Sequence, residues 1–273
     1  MKQKVSKIDY SKAMLPRTRR QQLGDCFKMN YMTILKCGLI LLLSFLPLIG
    51  FSIFMDLYYV SILEHTTQEL EQTQFVFFCL YYSGVVIMCL PIFVGLSGVN
   101  YVLRNLIWGE GIFFKSDIAL GIKQNASKNL LFGFISGVIF FAAYFVSSMI
   151  SGLFISYIPL IIYALIFLPV YFWLMFLNNI YNSKVTTLIG NSFYFYIRNI
   201  GWSILGVLMP LSLLALLFIP LYLVWLKFIV LTLFIIFIFP IILLIMILFT
   251  TSKFDECINQ EHYPEHYLKG LNH

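Results

Sequence analysis

Residues 129–183 read NLLFGFISGVIFFAAYFVSSMISGLFISYIPLIIYALIFLPVYFWLMFLNNIYNS, without one Asp, Glu, Lys, Arg or His. A helix that crosses a bilayer needs about 20 predominantly apolar residues. Two blocks of that length, 130–151 and 157–177, fall inside this stretch. Outward from it, four more blocks of the same character lie at 35–55, 75–102, 201–220 and 228–250. None carries a charged residue in its interior. The last two are separated only by Leu221–Lys227. A single helix from Gly201 to Thr250 would be about 75 Å long, more than twice the hydrocarbon core. The chain must therefore turn, and Pro220 with Lys227 marks the place. The reading is an all-α polytopic membrane protein with six transmembrane helices arranged as three helical hairpins. Residues 1–273 then form a single integral membrane domain.

Composition agrees. The chain is 60% hydrophobic and 11% charged, against about 45–50% and about 25% in soluble domains. A water-soluble domain and a disordered chain are both excluded. The net charge is +6, and its distribution identifies its counterpart. Nine of the 18 Lys and Arg precede or enter the first block, the pattern of an anchor on an anionic lipid surface rather than of a nucleic-acid site. The segment after block one has no basic residue but carries Asp56, Glu64, His65, Glu69 and Glu71. Arg104, Lys115, Lys123 and Lys128 follow block two, Lys184 and Arg198 follow block four, and Lys253 and Lys269 follow block six. Only Lys227 falls on the other side. Basic loops stay cytoplasmic, so both termini are expected there. Residues 1–30 form a basic cytoplasmic segment and 251–273 a cytoplasmic tail. Trp108, Trp173 and Trp202 lie toward the inner interface, Tyr157 and Trp225 toward the outer. No small-residue cleavage site follows block one, so it reads as a retained span.

A threefold pattern accompanies the hairpin starts. Phe27-Lys28-Met29-Asn30 precedes Gly38, Ile122-Lys123-Gln124-Asn125 precedes Gly133, and Tyr196-Ile197-Arg198-Asn199 precedes Gly206. The stretches leading in are amphipathic: Leu23, Phe27, Tyr31 and Ile34 in the first, Ile118 and Ile122 in the second, Leu188, Ser192, Phe193, Tyr196 and Ile200 in the third. They are expected to form helices lying on the inner surface. Gly133-x-x-x-Gly137, and Gly95 with Gly98, suit close packing of helices within the chain. Pro47, Pro91, Pro210 and Pro240 are expected to kink their spans.

One polar cluster stands at the end of block two and in the loop beyond it. Arg104, Asn105, Gly109, Glu110, Asp117, Lys123 and Asn125 are its candidate interaction residues. Arg104, Glu110, Asp117 and Lys123 have the charges to pair with one another and form an elbow between two hairpins. The same residues would serve as a contact surface for a partner or for lipid head groups.

Other motifs carry little. His262-Tyr263-Pro264-Glu265-His266 has the order of an inverted zinc-protease signature, but that chemistry needs one continuous helix and a third ligand. Pro264 removes a helical hydrogen bond between the two His. The five Cys are odd in number and lack a C-x-x-C spacing, so no disulfide framework or metal site is expected. Asn125-Ala126-Ser127 has the form of a glycosylation sequon, on the face assigned to the cytoplasm. No cofactor is expected.

The run Gly98-x-x-Tyr101-x-x-Arg104-x-x-x-x-Gly109-Glu110, then Ser116-Asp117 and Lys123-x-Asn125, resembles the YesL-type family of bacterial membrane proteins over about residues 95–130. The tail, with Tyr263, Pro264, Glu265, Lys269, Gly270 and Leu271, is similar in kind. Ile118 departs from the pattern, where the family tends to carry an aromatic. The resemblance implies a multi-pass protein of the bacterial plasma membrane, associated with carbohydrate ABC transport. It implies no catalytic residues. The expected function is a non-enzymatic accessory or regulator of a membrane transport system. The alternative is a transporter or channel subunit for a neutral solute, for which Ser97, Asn100, Ser147 and Ser148 are the in-span polar residues. A lipid-directed enzyme would have only Arg104, Glu110, Asp117 and His262 to draw on.

Overall fold

The computed structural model describes residues 15–65, 70–150, 154–181, 183–215 and 224–272. Lys2, Lys4, Lys7 and Lys12, the acidic loop around Glu69 and the turn at Pro220 lie outside these residues, as do the side chains of Trp225 and Lys227.

Every described element is helical. Helix α1 runs Arg19–His65, α2 Leu70–Met88, α3 Leu90–Ile107 and α4 Phe114–Met149. A short α5, Ile158–Ile162, continues through a π turn into α6, Leu168–Ile180. Then come α7 Val185–Arg198, α8 Ile200–Ala215, α9 Val224–Leu233, α10 Phe239–Phe254 and the single turn α11, Gln260–His262. Five stretches are long and apolar enough to cross a bilayer: Arg19–Tyr59, Thr73–Ile107, Phe114–Met149, Ile155–Ile180 and Phe228–His262. The chain is thus an all-α protein with several candidate membrane spans.

The breaks have chemical causes. Asn30 leaves helical geometry at φ −129°, ψ 22°, inside α1. Asn199 does the same between α7 and α8, at φ −129°, ψ 42°. Asn tolerates such conformations because its amide can bond the local backbone, and Asn199 Nδ2 donates to Phe195 O at 3.2 Å. In the first and third copies of the repeated pattern, then, Asn is where the lead-in helix bends into the apolar helix. In the second copy, Asn125 lies inside the unbroken α4. The proline positions behave likewise. The π turns Tyr163–Phe167 and Phe234–Ile238 each end two residues before a proline, Pro169 and Pro240. A proline cannot donate to the preceding turn, and the helix accommodates by widening there. Pro91 follows the interruption at Cys89 between α2 and α3.

Helix α3 packs along α4 and α1, α1 also touches α2 and α10, and α6 joins α4, α7 and α8. Small residues bring these helices together. A Cβ on Gly38 would collide with the backbone carbonyl of Ile236, and one on Gly133 with the Phe93 ring. The core centres on Leu41, Phe45, Leu103, Trp173, Phe176, Leu244 and Phe254, all buried. The rim is apolar too: Leu43, Leu80, Ile135, Ile161, Leu208 and Ile245 are exposed. An apolar rim of this kind is consistent with a membrane protein.

A buried polar platform at one end of the bundle

Both described ends of the chain meet at one end of the bundle, where Asn272 N–H donates to Pro16 O at 3.0 Å. Most of the buried polar side chains gather toward this basal end. The C-terminal tail folds back over it from α10.

Arg104 sits on the last turns of α3, where a cation also suits the helix dipole. It is nearly buried, 9% exposed. Its guanidinium lies between the rings of Tyr101 and Trp108, at 4.2 and 4.5 Å from their centroids. One amino group donates to Asn179 O, the other to Asn105 Oδ1 at 3.1 Å. The planar, weakly hydrated guanidinium is the cation best suited to stacking and forked donation in a buried site.

Beyond Arg104 runs a ladder of amides. Asn179 Nδ2 donates to Asn100 O at 2.9 Å, and Asn125 Nδ2 to Asn179 Oδ1 at 3.2 Å. Asn178 Nδ2 donates to Asn129 Oδ1 at 2.8 Å and to Asn125 O at 3.2 Å. Asn129 Nδ2 donates to Ser97 Oγ at 2.7 Å. These bonds tie α3, α4 and the end of α6 to one another. Buried amides that were left unpaired would each be costly, so the ladder specifies one register among three otherwise greasy helices.

The tail closes the outer side. Arg19 Nη2 meets Asp255 Oδ2 at 2.6 Å, and Arg19 Nη1 donates to Lys269 O at 3.1 Å. Asp255 Oδ1 accepts from Asn259 Nδ2 at 2.7 Å and from Leu268 N–H at 3.2 Å. Tyr181 donates its hydroxyl to Asn259 Oδ1. Lys269 pairs with Glu110 at 2.6 Å while its ammonium sits 4.2 Å from the Trp108 centroid. His266 stacks on Trp108, with centroids 5.2 Å apart and planes at 16°. Its imidazole is held below its ordinary pKa, first by burial and further by Lys269 and Arg104. Gly270 has φ +84°, and a Cβ there would strike Ile107 O. Gln22 uses the space, donating to both Ile107 O and Gly270 O.

The sequence-derived candidates are therefore placed as follows. Arg104, Asn105 and Asn125 are buried within the network. Glu110 faces the tail and pairs with Lys269. Gly109 forms the turn after α3 at φ +67°. Asp117 is buried at the start of α4 and accepts from Phe113 N–H at 2.8 Å. Lys123 is exposed on α4. Sequence reasoning missed Arg19, Gln22, Asn129, Asn178, Asn179, Asp255, Asn259 and Lys269. The doublet Asn178-Asn179 at the end of an apolar block was a readable signal, because two amides there require partners.

Around Arg104 some donors and acceptors remain unused among the described residues: Arg104 Nε, Asn105 Nδ2, Trp108 Nε1, His266 Nδ1 and both side-chain polar atoms of Asn100. A cavity of about 330 Å³ lies where the start of α1 meets the end of α3 and Gly270, with Gln22, Asp25 and Asn30 in its wall. α11 ends at His262, before Pro264 and His266, and among the described residues no group of three His, Cys, Asp or Glu is placed to hold a metal. The chain matches no protein-family model, no curated protein and no solved structure.

Proposed function

We propose that the chain is a non-enzymatic accessory or regulatory subunit of a membrane transport system in the bacterial plasma membrane. The basal platform is the part that meets its partner. In this reading six helices span the membrane as three hairpins, with α8 supplying the crossing that lies between Ile155–Ile180 and Phe228–His262. Support comes from the meeting of Pro16 and Asn272 at one end of the bundle, which fits an even number of crossings. The basal end faces the cytoplasm and its anionic leaflet, as expected from the placing of Lys and Arg.

The observation that carries the reading is the location of the polar groups. Ser97 and Asn129 hydrogen-bond each other, and Arg104, Asn178 and Asn179 are spent on tying helices together rather than on a passage between them. That favours a scaffold over a carrier for a neutral solute. On the same end, α7 turns Ile189, Phe193 and Ile197 outward, with Arg198 beside them. Leu188, Ser192 and Phe195 of that helix face inward. Such a ledge suits a helix or loop of a transporter subunit together with the lipid surface. The resemblance to YesL-type proteins points to carbohydrate ABC transport as the system.

Affinity purification from native membranes in mild detergent tests this. A transport-system subunit is expected to co-purify with the wild-type chain, and Ile189→Glu with Phe193→Glu is expected to lose it while the chain stays monodisperse. A chain that elutes alone from its native membrane at every detergent tried would overturn the proposal.

A further inference from the structure

Residues 263–272 cross the basal end as a chain of turns. His266 N–H donates to Tyr263 O at 2.9 Å, and Leu271 N–H to Leu268 O at 3.0 Å. Within this segment only Gly270 is buried. Its hold on the bundle is mostly polar: Lys269 to Glu110, Arg19 to Lys269 O, Leu268 N–H to Asp255, and Asn272 N–H to Pro16 O. Beneath it Trp108 is only 7% exposed, with the Lys269 ammonium and the His266 ring against its indole.

Docking carries costs along this seam. Leu268 has φ +51°, the left-handed region that a bulky side chain avoids. Trp108 Nε1, Arg19 Nε and His266 Nδ1 are buried there without a hydrogen-bond partner among the described residues. Water would satisfy all three on release and would replace the polar bonds that hold the segment. Strain, unmet nitrogens and a polar hold all lower the free energy of local opening. The helices beneath differ, since α3 and α6 are joined through buried amides and a buried apolar core.

We propose that residues 263–272 are an autoinhibitory strap that opens as a unit while the helices stay folded, and that the open form, with Trp108 and Glu110 bared, is the one that takes a partner at the basal end. The second half rests on the accessory role proposed above. In the closed form Lys269 itself occupies the indole face and the carboxylate that a cationic side chain of the partner would reach.

Amide hydrogen exchange of the purified full chain tests the opening. Strap amides are expected to exchange faster than those of α3 and to speed up as salt rises. Lys269→Gln should raise strap exchange about two- to ten-fold and leave α3 unchanged. Leu268→Asn, whose new side chain tolerates the left-handed conformation, should lower it. Strap amides that exchange only in step with α3, or that ignore both substitutions, would overturn the proposal. Affinity purification from native membranes tests the inhibition. Lys269→Gln is expected to recover more of a transport subunit than wild type, and Leu268→Asn less. Equal recovery by all three would overturn the inhibitory role and leave the accessory role standing. Recovery of no subunit by any of them would overturn both roles together, and the exchange result alone would then decide whether the strap opens.

Discussion

Arg19 and Asp255, 236 residues apart in the chain, meet at 2.6 Å across the basal end of the bundle. Their side chains are 16% and 5% exposed, so the pair is shielded from the screening that weakens surface ion pairs. Arg19→Ala and Asp255→Ala are expected to show a coupling energy of about 1.5–3 kcal/mol in a double-mutant cycle. Asp255→Ala should be the costlier single change, because Asn259 and Leu268 also lose an acceptor. Thermal unfolding in detergent supplies the measurement, and strictly additive effects would contradict the pairing.

Arg104 offers a second test. Arg104→Lys keeps the charge but loses the fork that reaches Asn179 and Asn105 and the planar stack between Tyr101 and Trp108. A loss of about 2 kcal/mol is expected. A variant as stable as wild type would show that charge alone is what the site requires.

The amide ladder predicts an asymmetry. Asn178→Leu leaves Asn129 Oδ1 buried without its donor and should cost about 1–3 kcal/mol. Replacing both residues with Leu removes donor and acceptor together, so the double variant should recover part of that loss. A double variant no better than the sum of the two single changes would argue that shape, not hydrogen bonding, sets this contact.

The tail should respond to acid. His266 has a pKa below its ordinary value when docked, chiefly through burial, with Lys269 and Arg104 adding to the effect and Glu265 and Glu110 opposing it. Tyr263 and Tyr181 are its remaining ring neighbours. The undocked imidazole therefore takes a proton at higher pH than the docked one. Docking has its full strength above the undocked value of about 6.5 and is lost as pH falls through the lower docked value. Proteolysis of the tail should accelerate between pH 7.5 and pH 5.5, and His266→Phe should flatten that dependence. An unchanged pH dependence in His266→Phe would assign the effect to another group.

Orientation has its own test. Lys123→Cys and Tyr58→Cys, in a background without the native cysteines, should react from opposite sides with a membrane-impermeant maleimide. In intact cells only Tyr58→Cys should be labelled. Labelling of Lys123→Cys instead would invert the assignment.

Five of the six expected apolar runs were legible as long helices, because lipid imposes a simple rule on such runs, whereas the run at 201–220, which holds α8, does not stand among the candidate spans of the described residues. Hydropathy found the runs from Leu41, Phe93 and Leu244 without knowing any contact. The residues at Arg104, Glu110, Asp117 and Asn125 stood out because polar groups are scarce. Their partners did not. Glu110 meets Lys269, and Arg104 meets Asn179, through distances in sequence over which local spacing carries no information. Nor did Gly270 announce its positive φ, since that conformation is set by Ile107 and Gln22 from elsewhere in the chain. The breaks at Asn30 and Asn199 were half visible: the repeated pattern marked the residues, but only the backbone shows that two copies bend and one, at Asn125, does not.

The lock between Arg19 and Asp255 also has a consequence for biosynthesis. Arg19 and Gln22 leave the ribosome long before the residues that satisfy them, Asp255 and Gly270. Until then the start of α1 lacks these partners, and it can dock only after α10 is in place. A chain stalled before Asp255 would have its earlier helices yet leave this end of the bundle open and charged.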